Sequence, residues 1–514
     1  MQMIKALQSS TRGSRALKAA STFALAASLI IVAVPSAAAA TLGSACTKVN
    51  VTSKIGKMEV ICNQVGGQKI LTMKKVTKVS ITANAIIGGK NAQTANFVKN
   101  FVIPNFELNQ ALKGKNVEVN FISCSGSCDD NAFKSSLALD LLAKRGADIF
   151  AIDGFWVAEF ADAGYIKPLN QILSVKSVKS WEGWKQIPNN VQGVMKYNDK
   201  VYGVPQGTDG RIIYFNKKLF AEAGLPSNWQ PKSWADIIDA GKKLKAANPA
   251  TNPLQINGGD GMGEATAMQG VLNLLGGAGS LIYNTKTKKW EGNTKAVRAA
   301  LGFYNSVYNV EKIGNGSWQL LAGENGRNES FKSFGNGTTA MLVEGDYFWR
   351  SIINPTSANA PMADRDTNVG FAKIPAQTPM SGVNGQSFMS MSGGSGYGLN
   401  QYSKNKAMAW ELLTFMNSRE SVQANMAIGG SVRITQRADV NAMTLKSDPC
   451  LKFVFENAIP NTYFRPAMAD YNAVSTLLQK ATTAVIQGAT PASAAADYET
   501  ALKALVGADK VTSN

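Results

Sequence analysis

From about Lys78 onward, short apolar runs alternate with longer segments of helical period. "VSITANAI", "NVEVNFIS" and "ADIFAID" have the alternating, β-branched character of strands. Between them, "NAQTANFVKNFVIPNFELNQAL" sets Phe97, Phe101 and Val102 on one helical face until Pro104 interrupts it. "DNAFKSSLALDLLAKRG" stacks Phe133, Leu137 and Leu141 behind a cap at Asp129 or Asp130. This βαβαβ order predicts a mostly parallel α/β sheet. Farther on, "SWADIIDAGKKLKAANP" predicts a helix capped by Ser233, and "TTAMLVEGDYFW", "VGFAKIP" and "GYGLNQY" predict strands. "NKAMAWELLTFMNS", "NAVSTLLQKATTAVIQG" and "PASAAADYETALKALVG" predict helices. With no internal repeat and no long low-complexity linker, two α/β lobes sharing strand crossovers fit better than separate beads.

The first 77 residues follow other rules. Lys5, Arg12, Arg15 and Lys18 precede a 12-residue apolar run, Phe23–Val34, and then "PSAAAA". That is the layout of an export leader ending near Ala40, and the run falls short of the ~20 residues of a membrane span. The protein is therefore expected to be exported: extracellular or cell-surface associated, or periplasmic in a Gram-negative cell. Residues 41–77 read as a small β appendage of two or three short strands broken by glycine pairs, which needs a covalent staple.

The five cysteines supply candidates. Cys46–Cys62 and Cys124–Cys128 are natural local pairs with Cys450 left over, although five thiols allow fifteen ways to form two bridges. Gly43 stands where lipidation of Cys46 would want Leu, which favours the disulfide over a lipid anchor.

The formal charge of +18 is dispersed, and seven lysines against one glutamate lie between residues 41 and 78. That could favour a polyanionic cell wall or membrane surface, but with no nucleic-acid recognition motif beside it a generally basic exported surface is the better choice. The chain has no histidine. This removes the commonest general base and metal ligand, so no metal and no cofactor is expected. Phosphate-loop, hydrolase-elbow and S-x-x-K patterns all fail on inspection.

Carboxylates beside aromatics carry the chemistry that remains. Glu344 and Asp346, in "MLVEGDYFW", are two apart, which on one strand face means about 7 Å. Asp153 precedes Trp156 in "IDGFW". Such groups serve glycoside hydrolysis by a carboxylate pair. They equally serve sugar binding, with carboxylates accepting from vicinal hydroxyls and rings covering C–H faces. A third reading makes the tryptophans core and the acids surface.

Segments in a fixed order carry a resemblance. They are "ADIFAIDGFWVAEFADAGYIKPLNQIL", "YGVPQGTDGRIIYFNKKLFAEAGL" with "SWADIIDAGKKL", "FGNGTTAMLVEGDYFW" with "VGFAKIP", "SGGSGYGLNQYSKNKAMAWELLTFMNS", and "YFRPAMADYNAVSTLLQKATTAVIQG". Over about residues 78–500 the chain resembles the extracellular solute-binding proteins of ABC transporters, family 1, the sugar-type group. The resemblance implies a monomer with the two-lobed periplasmic-binding-protein fold and a carbohydrate trapped between its lobes. A membrane permease with its ATPase would be the partner. A polyol or another polar solute is the alternative ligand, and a secreted carbohydrate-active enzyme is the alternative class.

The implied lobes are residues 78–207 with 376–425 and 208–375 with 426–505, hinged near Pro205–Gly207 and Pro375–Pro379. The implied ligand positions are Asp153 and Trp156 in the first lobe and Gln206, Asp209 and Arg211 at the crossing. Glu344, Gly345, Asp346 and Trp349 follow in the second lobe, then Gly393 and Gly394 in a backbone loop. Glu264, Arg433 and Arg465 complete the set. This chain lacks the proline that usually follows the glycine pair before Arg433.

Overall fold

The computed structural model describes residues 40–86, 92–124, 130–323, 325–429 and 433–513. The segment expected to be an export leader, up to residue 39, and Cys128 and Asp129 lie outside the described residues.

The appendage is a three-stranded antiparallel sheet of Thr52–Ile55, Met58–Val65 and Gln68–Met73. A disulfide joins Cys46 to Cys62, with Cα atoms 5.9 Å apart. It occupies the sulfur that a lipid at Cys46 would need. Few of these residues are buried, so the staple supplies what a small core cannot. Cys124 is also disulfide-bonded, and Cys450 is free and buried.

The first lobe is built on a five-stranded sheet ordered Asn116–Ile122, Val76–Thr82, Ile149–Asp153, Ser395–Leu399 and Gly203–Pro205. The first three strands are parallel, and Ser395–Leu399 runs antiparallel to both its neighbours. Side chains alternate across this sheet. Val79, Ile81, Ile149 and Leu399 enter one core, while Phe150 and Ile152 enter another with Phe133, Leu137 and Leu141. The helical segment interrupted by Pro104 is continuous: a wide π turn at Val98–Val102 leads into Ile103–Leu112, so the proline sits near a helix start where its missing N–H costs little.

The second lobe has a four-stranded sheet ordered Asn252–Gln255, Thr339–Gly345, Arg211–Asn216 and Val369–Ala372. Strand Arg211–Asn216 shows the pleat directly. Ile213 and Phe215 face one core, and Ile212 and Tyr214 face the other. The Trp234–Ala247 helix carries a full capping box, with Ser233 Oγ accepting from the Asp236 N–H at 3.3 Å and Asp236 Oδ2 accepting from the Ser233 N–H at 3.1 Å.

Two of the chain's passages between the lobes lie side by side. Residues 206–210 link Gly203–Pro205 of the first sheet to Arg211–Asn216 of the second. Gly393 and Gly394 link Phe388–Ser392, on the second-lobe side, to Ser395–Leu399 of the first. This corrects the crossing expected near Pro375–Pro379. Ile374–Pro375 pairs with Phe388–Ser392, Trp234 Nε1 donates to the Pro375 carbonyl at 3.1 Å, and residues 376–392 thus stay with the second lobe. A proline pair marks a turn, but here strand pairing decides which lobe the turn belongs to. A third contact pins the crossings, where the Thr208 N–H donates to the Ile434 carbonyl and Gly207 bridges Thr435. Gly207 has φ +142°, and a Cβ there would stand 2.4 Å from the Ile434 carbonyl oxygen, so only glycine lets these strands approach.

Candidate functional site

A cavity of about 210 Å³ opens at the carboxyl ends of the parallel strands of the first lobe. Asn84, Asp153, Trp156, Gln206, Ser395 and Tyr397 are among its lining residues. This is where α/β sheets place ligands, because loops diverge there and backbone groups run out of partners. Trp156 is 5% exposed and packs against Phe133, Phe155 and Phe160, so it offers an edge more than an open face. Tyr397 extends the wall toward the crossings, and Gln206 lines the same wall.

At the crossing, Asp209 accepts from the Gly393 N–H at 2.7 Å and is bonded to Arg211. Burial alone would raise the Asp209 pKa, but Arg211 and the Gly393 N–H outweigh it and hold it below its usual value. Arg211 begins its strand instead of sharing one with Asp209, yet its side chain folds back to make the pair. Its Nε donates to Gln269 at 3.2 Å and Nη1 to the Met391 carbonyl at 3.2 Å. Arg211 therefore braces the two crossings. The Gly393 and Gly394 carbonyls are also spent, accepting from Thr208 at 3.1 Å and from the Gly154 N–H at 2.9 Å.

The structure corrects the carboxylate pair in the second lobe. The strand ends at Gly345, so Glu344 and Asp346 do not share a strand face. Glu344 is fully buried and receives Arg327 Nε at 2.9 Å, Arg327 Nη2 at 3.1 Å, Asn257 Nδ2 at 3.0 Å and the Tyr347 hydroxyl. Burial pushes its pKa up, and these donors more than reverse that. It is a satisfied structural ion pair.

Asp346 differs. Its Oδ1 accepts from Arg350 Nε at 3.1 Å, whereas its buried Oδ2 has no hydrogen-bond partner. Burial pushes its pKa up to about 6 against Arg350, with Asp209 adding to the rise. Trp349 is likewise corrected as a ring platform. It is 2% exposed, carries the Arg365 guanidinium 3.9 Å over one face, meets Phe371 edge-on and donates to Asp448. An aromatic after a turn reads the same in sequence whether it faces a cleft or the core; here it caps the core of the second lobe.

Arg465 ties the lobes together. Its Nη2 donates to Asp153 at 3.2 Å, its Nη1 to Glu264 at 3.2 Å, and its guanidinium lies 3.9 Å over the Phe155 ring. Glu264 also accepts from Tyr471 at 2.9 Å, Gln479 at 3.2 Å and Ser475. Asn472 donates to Glu159 at 2.8 Å beside this contact. Burial, with the charge of Arg350, pushes the Arg433 pKa down to about 10, while Tyr397 and Asp346 act the other way.

Sequence reasoning missed Tyr397, Arg350 and Arg327. Arg350 carried a signal, being four residues beyond Asp346 on a helical turn. Arg327 carried none. Among the described residues, no group of His, Cys, Asp and Glu is placed to hold a metal ion.

Comparison with known proteins places these features. An ABC transporter solute-binding protein from Thermotoga lettingae, solved with alpha-D-tagatose, superposes with a TM-score of 0.64 and 23% identity, covering 84% of this chain and all of that one. The GacH receptor of Streptomyces glaucescens, solved unliganded and with acarbose, gives 0.63 and 21%, covering 85% and all of that chain. At these identities the likeness is one of fold. The sn-glycerol-3-phosphate-binding periplasmic protein UgpB of Brucella abortus is 31% identical over 87 residues, 17% of this chain, and the match spans a fifth of that protein's length. The family model described as bacterial extracellular solute-binding protein matches residues 75–423, and the chain belongs to that family.

Proposed function

We propose that this protein is the extracellular substrate-binding component of an ABC importer. It captures a carbohydrate, from one ring to a short oligosaccharide, between its lobes and presents the closed form to a membrane permease and its ATPase. The observation that carries this reading is the lobe-1 cavity, which reaches the crossing at Gln206, together with the uncommitted Oδ2 of Asp346, whose N–H donates to the Gly210 carbonyl at the same crossing at 3.2 Å. A carboxylate acceptor, a carboxamide at Gln206 and aromatic edges at Trp156 and Tyr397 match hydroxyls and ring C–H groups. Tagatose, acarbose and glycerol 3-phosphate, named for the compared proteins, all carry hydroxyls of this kind. A polyol is the second reading, since it presents the same hydroxyls without a ring.

Binding would shift an open–closed equilibrium about residues 206–210 and 393–394. The enzyme alternative, with Glu344 and Asp346 or Asp153 as acid and base, is disfavoured because all three carboxylates are paired, with Arg327, Arg350 and Arg465. A thermal-shift panel of mono-, di- and oligosaccharides and polyols tests the proposal. A ligand at 100 times its Kd adds about 2.7 kcal/mol. No shift across the panel, or release of cleaved product from an oligosaccharide, would overturn it.

A further inference from the structure

The corner where the crossings meet holds more cations than anions. Arg211 is paired with Asp209, and Arg350 with Asp346. Arg433 makes no hydrogen bond or ion pair among the described residues, although its guanidinium faces Arg350, Asp346 and Tyr397. Three guanidiniums thus share two carboxylates, and one carboxylate is itself pushed toward neutrality. A partly buried arginine beside another arginine repels it and loses hydration, costs that Tyr397 and Asp346 offset only in part.

The backbone makes this placement firm. Arg433 immediately precedes Ile434 and Thr435, the residues held against Thr208 and Gly207. Its side chain therefore springs from the hinge itself, within the electrostatic reach of Tyr397, Asp346 and Arg350. A guanidinium so placed presents donors in a planar fork that matches the paired oxygens of a carboxylate or phosphate.

We propose that Arg433, with Arg350, recognises an anionic oxyacid group on the captured solute, so that the ligand class is an acidic sugar or a phosphorylated polyol in preference to a neutral sugar. This rests on the reading of the cleft as the solute site. The anion supplies the charge that the corner lacks. Asp346 Oδ2 remains to accept a neighbouring hydroxyl.

The test is calorimetric titration of the purified protein with matched pairs: glucuronate against glucose, glycerol 3-phosphate against glycerol, and inorganic phosphate alone. The proposal expects the anionic member of at least one pair to bind about tenfold or more tighter, the worth of one charge-assisted hydrogen bond. Arg433→Gln should shrink that ratio to within about threefold, and Arg433→Lys should keep part of it, because the charge remains while the fork is lost. The pair that responds separates carboxylate from phosphate. Neutral members binding as tightly as their anionic partners would overturn the proposal and leave the sugar reading intact, as would an Arg433→Gln variant that weakens both members equally. Binding of neither anionic nor neutral solutes would overturn both.

Discussion

Two clusters of buried charge sit a short way apart in this molecule. In one, Glu344 receives Arg327, Asn257, Tyr347 and a backbone N–H, so that nothing is left to bond. In the other, Asp346 keeps a free oxygen and Arg433 lacks a partner. Their buried carboxylates, Glu344 in one and Asp346 in the other, stand only two residues apart in sequence. The lesson is that burial does not mark a binding residue and neither does residue type; an unfilled hydrogen-bonding capacity does. The first cluster holds the second lobe together. On the proposed reading, the second is completed by the solute.

The sharpest way to break the comparison is to remove the partner in the satisfied cluster. Arg327→Met leaves Glu344 as an uncompensated buried charge and should cost about 3–5 kcal/mol of stability, read as a lower denaturation midpoint for the second lobe. Loss of stability below about 1 kcal/mol would show that Glu344 is not the locked residue described here. In the appendage, a Cys46→Ser, Cys62→Ser variant should destabilise that unit by about 3 kcal/mol, from the closed loop of 16 residues, without altering solute affinity. Hydrogen exchange confined to residues 41–75 would check it.

The clusters also differ in sign with pH. Asp346 titrates higher in the folded chain than its usual 3.8, so its contribution is full below about pH 4 and is lost as pH rises through about 6. Glu344 and Asp209 are held low, so theirs is present at neutral pH and lost as pH falls. The stability of the natural protein relative to Asp346→Asn should therefore decline between pH 4 and 7, by at most about 3 kcal/mol. A flat difference across that range would contradict the assignment. The smallest effect is expected at Trp349. Because Arg365 and Phe371 cover its ring, Trp349→Phe should change solute affinity less than about twofold, measured by titration.

Much of the architecture was legible in the sequence because it rests on period and punctuation. The Ser233 cap, the stack of Phe133, Leu137 and Leu141, and the disulfide-stapled β appendage follow from local rules that the fold obeys. The two-lobed character followed from strand–helix alternation. What local rules could not supply was the second crossing, since the pairing of Ile374 with Met389 and of Pro375 with Phe388 decides that 376–392 belong with the second lobe. The candidate site was legible as residue types but not as states. Asp153, Glu264 and Arg465 were each singled out, yet nothing in sequence says that they bond one another across the lobes. Trp349 and Asp346 lie three residues apart, and one is spent on the core while the other retains a free oxygen. That division depends on Arg365 and Arg350, whose reach only the folded chain reveals.

The central claim is that the uncommitted oxygen of Asp346 meets the solute. Calorimetric titration of Asp346→Asn with the solute giving the largest thermal shift tests it most directly. The account predicts an affinity about tenfold or more below that of the natural protein, the worth of a charge-assisted hydrogen bond, with unfolding at pH 7 no easier than before. An unchanged affinity would contradict it.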